Sequence, residues 1–297
     1  MDEIFDQHPN AEITLSTHLD PGEQDRSPVI MNNGKHMIVF PPFPYAREYG
    51  CFHMKVILIR FADRLRVVIS SSNLYIPDWT EFSQSVWMQV FSSTLVTLQD
   101  FFFVNNGNNY TPKRLDVEFQ QQLKEILRFS KCPEDRIVNL LENVCFRNVS
   151  VRLVISAPNV YNKRLMGKYG HLRLREIIRD LNAFYAITNH PVTHFAPILS
   201  LCSSVGSPSL NWLQSILASC NGGMEYPEKG KIEDFFHLVF PTTAYVENSR
   251  IGAERAGSLI FSRKAYNTKT FPKQCLKRYK DVKGRENSLP HAKCRME

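Results

Sequence analysis

Two short His-x-Lys motifs hold the residues of this chain best suited to chemistry: His53-Met54-Lys55 and His291-Ala292-Lys293. An imidazole can attack or exchange a proton near neutral pH, and an ammonium two residues away supplies fixed positive charge. Phosphodiester cleavage needs a nucleophile, positive charge on the non-bridging oxygens and a proton for the leaving oxygen. Two such motifs supply all three without a metal. One histidine would attack phosphorus while the other protonates the departing oxygen. A phenolic leaving group, with a pKa of about 10, departs more readily than an alkoxide.

The elements that must position these groups follow from the apolar pattern. Residues 52–61 are mostly apolar and end at Ala62-Asp63-Arg64, which reads as a buried strand with His53 and Lys55 on one face. Residues 65–69 form a second strand that ends in Ser70-Ser71-Ser72-Asn73 and brings the Asn73 carboxamide to the same place. Further strands are expected over 36–40, 83–91, 151–156, 193–201 and 235–240. Helices are expected over 115–129, from Pro133 to Leu141, and over 172–184 and 208–217. In the first of these, Phe119, Leu123, Ile126 and Leu127 share one face. The alternation predicts an α/β sandwich, and residues 1–35 are polar enough to read as a loose lead-in.

Composition narrows the setting. Lys plus Arg number 36 against 29 Asp plus Glu, a formal net charge of +7, and the isoelectric point is near 9.0. That balance suits a polyanionic partner through counterion release. The excess gathers in residues 263–285, which would form either a solvated helix or a nucleic-acid-facing flank. Seven scattered cysteines without CxxC spacing point to a reducing, intracellular compartment. The acidic N-terminus lacks a secretory pattern and no apolar run nears eighteen residues, so no membrane insertion is expected. With 297 residues, 43% of them hydrophobic, the chain can hold one large or two medium domains.

The residues around the motifs resemble the tyrosyl-DNA phosphodiesterases of the phospholipase D superfamily. Ordinary phospholipase D motifs carry an Asp five positions after the Lys; here that position is Arg60, and Asn73 completes a His-Lys-Asn set instead. Other stretches follow in the family's order: Ser72-Asn73-Leu74, Asp78-Trp79, Trp87, Gly170-His171-Leu172, Ser203-Ser204-Val205-Gly206-Ser207, Val246-Glu247-Asn248 and Leu289-Pro290-His291. The resemblance spans residues 39–293. It implies a nuclear DNA-repair hydrolase, monomeric and without a cofactor or metal, whose partners are DNA 3′ ends and topoisomerase I-derived tyrosyl peptides. By the resemblance His53 forms a phosphohistidine, and His291 serves as general acid and then as the base that activates water. Lys55, Lys293 and Asn73 would hold the phosphoryl oxygens. Ser203, Ser204 and Ser207 would contact the DNA backbone, and Tyr49 would stack on a base. The serine stretch reads equally as a strand-to-helix turn with a serine cap, Tyr49 as packing over a strand edge, and His171 as a structural hydrogen-bonding residue.

The implied architecture is α/β, two similar phospholipase D-like α-β-α sandwich halves at 36–160 and 161–297, the second incomplete. Four residues follow Lys293, where the family continues into further strands and a second Asn, and the 52 residues before His53 are few for its opening elements. A displacement of about 1 Å can cost on the order of a hundredfold in rate, so weak or no turnover is expected. A non-catalytic DNA-end binder and an inactive remnant are the alternatives.

Overall fold

Short alternating runs and amphipathic helices assemble into two units in a computed structural model that describes residues 2–17, 26–41, 53–93, 115–157, 165–187, 195–227, 230–281, 283–291 and 294–296. One unit comprises Met1–Val67 with Gln89–Met166, the other Val68–Met88 with Gly167–Glu297. The second unit therefore owns the stretch that carries Asn73 as well as the C-terminal motif.

The first elements are helix α1 (Asp2–Gln7) and strands β1 (Ile13–Ser16), β2 (Val29–Met31) and β3 (His36–Val39). Next come β4 (Val56–Arg60), β5 (Arg64–Ser70), the short helix α2 (Ile76–Thr80) and β6 (Val86–Ser92), the strands ordered β4-β5-β6 in one sheet. Helices α3 (Leu115–Phe129) and α4 (Glu134–Leu141) follow.

Where residues 1–35 were expected to be a loose lead-in, they contribute α1, β1 and β2, and the two strands join β3, the strand expected at 36–40, in a sheet ordered β1-β3-β2, with β1 parallel and β2 antiparallel to β3. The cause lies a hundred residues away. Arg136 of α4 is buried and donates to the carbonyls of Ile13 (2.9 Å), Gly34 and Lys35 (3.3 Å) and to the Thr14 hydroxyl (2.7 Å), while its Nε pairs with Glu12 at 2.9 Å. A guanidinium has five donors in a fixed fork, and this one closes the ends of two strands at once. The core of the unit includes an aromatic cluster: Phe91, Phe119 and Phe146 are all buried, with ring centroids 4.9–5.7 Å apart.

Two local expectations change. The ladder of β4 begins at Val56, so His53 and Lys55 sit in the segment leading into the strand and not within it. Residues 151–157 do alternate, with Leu153 and Ile155 buried around an exposed Val154, yet they form no strand among the described residues. Period-two burial needs only an apolar surface on one side; a strand also needs a ladder partner.

In the second unit helix α5 (Gly170–Ile187) packs on α6 (Leu210–Cys220), after β7 (Ile198–Leu201) and β8 (Ser204–Val205). Then come α7 (Ile232–Phe235), β9 (Phe236–Phe240), α8 (Thr243–Glu247), β10 (Ile260–Phe261), α9 (Arg263–Tyr266), β11 (Leu276–Arg278) and β12 (Cys294–Met296). The main sheet is ordered β11-β9-β7-β12, its first three strands parallel and β12 antiparallel to β7. The basic stretch 263–285 forms α9, a 3-10 turn at Lys273–Cys275 and β11, so of its two readings the single solvated helix does not hold.

Ser209 caps α6 by accepting from the Trp212 amide at 3.2 Å. The helix ends in a Schellman motif, with the Gly223 amide on the Ala218 carbonyl and the Gly222 amide on that of Ser219. Gly222 has φ +67°, and a Cβ there would lie 3.1 Å from the Arg179 backbone nitrogen of α5, so glycine is required both by conformation and by the approach of the helix. Leu213, Leu217, Phe236, Leu238 and Ile198 are among the buried side chains that fill the space between these helices and the sheet.

Candidate active site

The first motif lies in the first unit. His53 is exposed and Lys55 half-buried, and the Lys55 ammonium stands 2.9 Å from His53 Nδ1 and 3.0 Å from the His53 carbonyl. An ammonium has donors only, so Nδ1 accepts here and a neutral ring would carry its hydrogen on Nε2.

The second motif is built differently, wholly within the second unit. After β5 the chain turns through Ser71, whose amide donates to the Ser85 carbonyl at 3.0 Å and whose hydroxyl accepts from the Ser85 amide at 2.9 Å. Ser83 then pairs with the residues on either side of Pro290: its amide donates to the Leu289 carbonyl and its carbonyl accepts from the His291 amide, both at 2.9 Å. Beneath this bridge Phe82, Leu289 and Ala256 are buried, with Tyr245, Val246, Ile251 and Leu259 packed against them. The imidazole of His291 is thereby fixed inside the protein at 3% exposure, its ring 5.7 Å from that of Phe82.

A buried imidazole needs partners, and they come from the turn after β5. His291 Nδ1 lies 3.1 Å from Gln84 Nε2, 3.2 Å from Gln84 Oε1 and 3.6 Å from Asp78 Oδ2. Asp78, in the first turn of α2, is itself buried, and the same Oδ2 accepts from the Asn73 amide at 2.8 Å and from Asn73 Nδ2 at 2.6 Å. Gln84 Nε2 also reaches the Asp78 carbonyl at 2.9 Å, and the Ser71 hydroxyl donates to Gln84 Oε1 at 2.7 Å. Trp79 Nε1 donates to the Asn73 carbonyl at 2.8 Å. The result is one connected polar network from Ser71 through Gln84, His291 and Asp78 to Asn73, and such networks over-determine the groups within them.

Of the residues picked out in the sequence, His53 and Lys55 are brought together in one unit, and Asn73 and His291 are brought together on one carboxylate in the other. Lys293 and Tyr49 lie outside the described residues. Ser203 is buried and its carbonyl accepts from the Ile260 amide at 2.8 Å, whereas Ser204, which pairs with Ile260 in the β8–β10 ladder, and Ser207 are exposed. His171 hydrogen-bonds Ser219 across the α5–α6 packing at 2.9 Å. Gln84 was missed in the sequence, where an amide between two serines carries no signal of its own; Asp78 stood there only as a neighbour of Trp79. Among the described residues no group of three or more His, Cys, Asp or Glu side chains gathers as for a metal ion, and no helix is long and apolar enough to cross a membrane.

The mixed α/β architecture is that of the phospholipase D fold. A solved mutant form of yeast tyrosyl-DNA phosphodiesterase superposes with a TM-score of 0.61 over 99% of this chain and 69% of that one, at 18% identity. A second mutant form gives 0.60 over 97% and 68%, at 19% identity. The family profile described as tyrosyl-DNA phosphodiesterase matches residues 10–297, and the chain belongs to that family. A probable tyrosyl-DNA phosphodiesterase of Caenorhabditis elegans is 26% identical over 251 residues, covering 82% of this chain and 51% of that protein. Tyrosyl-DNA phosphodiesterase 1 of Arabidopsis thaliana is 27% identical over 260 residues, covering 83% and 39%. The chain thus spans about half the length, or less, of these curated relatives.

Proposed function

We propose that this chain is a phosphodiesterase that removes tyrosyl and other adducts from DNA 3′ ends in nuclear DNA repair, acting as a monomer. The observation that carries this reading is the construction of the second motif. A histidine buried against a carboxylate and an amide, with an asparagine tied to the same carboxylate, is what a proton-transferring group beside an anion-holding group requires.

In this reading His53 attacks phosphorus, forming an N–P bond as the P–O bond to the tyrosyl oxygen breaks. His291 gives its proton to that oxygen. In the second step His291 takes a proton from water, which displaces His53 and leaves a 3′-phosphate. Lys55, Lys293 and the remaining N–H of Asn73 Nδ2 hold the non-bridging oxygens. The Lys55 ammonium that lies on His53 Nδ1 would be drawn to the incoming phosphoryl group, which lets the ring hydrogen settle on Nδ1 and exposes the Nε2 lone pair for attack. The exposed hydroxyls of Ser204 and Ser207 suit contacts to the DNA backbone, and Tyr49 is assigned to stack on a base.

The test is a gel assay of the purified chain on a labelled 3′-phosphotyrosyl oligonucleotide, beside His53→Ala and His291→Ala. The reading expects conversion to 3′-phosphate that both substitutions reduce at least roughly a hundredfold. A folded protein that binds the oligonucleotide without cleaving it would sink the catalytic reading and leave a DNA-end binder.

A further inference from the structure

Gln84 cannot by itself decide which nitrogen of His291 carries the hydrogen. Its amide is pinned at both ends, Oε1 by the Ser71 hydroxyl and Nε2 by the Asp78 carbonyl. His291 Nδ1 sits almost equally far from the two, 3.2 Å from the oxygen and 3.1 Å from the nitrogen. An N–H on Nδ1 would find the oxygen, and a lone pair on Nδ1 would find the second Nε2 hydrogen. What breaks the tie is charge. The Asp78 carboxylate oxygen, 3.6 Å from Nδ1 and buried with it, favours a hydrogen on that nitrogen and disfavours a lone pair facing it. The same oxygen fixes Asn73 through both its main-chain and its side-chain nitrogen.

We infer that Asp78 is a positioning residue that keeps a hydrogen on His291 Nδ1, so that Nε2 is the nitrogen that exchanges a proton with substrate, and that the same carboxylate oxygen orients the Asn73 amide. The inference rests on the catalytic reading for its consequence, but the state of the ring can be read without any turnover. Asp78 needs no contact with substrate for this; it acts through the two residues it holds, as an outer partner that fixes the tautomer of a working histidine does elsewhere.

The experiment pairs ring-nitrogen NMR of the full chain labelled with 15N-histidine with steady-state cleavage of the 3′-phosphotyrosyl oligonucleotide, for the unsubstituted protein and Asp78→Asn. The carboxamide keeps the size and removes the charge. The unsubstituted neutral ring of His291 is expected to show a protonated Nδ1 and an unprotonated Nε2. In Asp78→Asn that preference is expected to be lost, with kcat lower by roughly 10- to 100-fold and KM little changed. A neutral His291 protonated on Nε2 in the unsubstituted protein overturns the inference, and needs no variant to fold. A folded Asp78→Asn with unchanged ring signals and unchanged kcat overturns it as well. A chain that cleaves nothing, yet shows the Nδ1 preference and loses it in Asp78→Asn, upholds the positioning role while refuting the catalytic reading.

Discussion

Leu289 tests whether the buried cluster beneath the second motif is what fixes His291. Its side chain is fully buried with Phe82 and Ala256, and its carbonyl and the His291 amide make the two bonds to Ser83. Replacing it with alanine removes the centre of that cluster while leaving every polar group of the site in place. A Leu→Ala change in a packed core costs about 2–5 kcal/mol, through lost transfer energy and the cavity left behind. For a unit of about 150 residues, a loss of about 3 kcal/mol lowers the melting temperature by roughly 6–12 °C. The same loss should speed exchange of the His291 amide, which is bonded to Ser83, on the order of a hundredfold, since about 1.4 kcal/mol is a factor of ten. Circular dichroism melting and native-state hydrogen exchange on Leu289→Ala provide both numbers. A melting temperature within about 2 °C of the parent, with unchanged exchange at His291, would refute the reasoning, because it would mean that the cluster does not hold the motif.

Two further outcomes follow from the packing. Arg136→Met removes the donors that close β1 and the turn before β3 and deprives partly buried carbonyls of a charged donor, at about 0.5–1.5 kcal/mol each; urea denaturation should show a loss of at least roughly 1 kcal/mol, and a loss below about 0.5 kcal/mol would contradict the latch. Burial, helped by Glu233, pushes the Cys275 thiol up from its ordinary 9.0 to about 11, so unfolding releases a proton between those values. Stability is then complete below about pH 9 and declines as pH rises toward 11, and Cys275→Ala should flatten that decline in melts taken across this range.

The two His-x-Lys motifs and several elements were legible because their signals are local. In α3 the residues spaced for one face, Phe119, Leu123, Ile126 and Leu127, are all buried, with Gln122 beside them, and the helix spans the expected Leu115–Phe129. The strand at Phe236–Phe240 and the helices α4, α5 and α6 likewise announce themselves by period, with ends shifted by a few residues where caps and not apolar residues decide them. In the N-terminal sheet β3 was legible at 36–40, but β1 and β2 were not: they are only three or four residues long, and β1 is tied in by Arg136, more than a hundred positions away. Residues 151–157 show the opposite case, a legible period without a ladder partner. Within the candidate site, the histidines and Asn73 could be found by residue type. The importance of Asp78 and Gln84 arises only when the turn after β5 is laid against residues 289–291, a juxtaposition across some 200 positions that no local pattern encodes.

The most direct test of the account is to look for the covalent intermediate. His291→Ala incubated with a 3′-phosphotyrosyl oligonucleotide, quenched under conditions that preserve phosphohistidine and digested, should give one peptide carrying the nucleotide on His53, and none in His53→Ala. Release of 3′-phosphate by a protein lacking His53, or an adduct on any other residue, would contradict it.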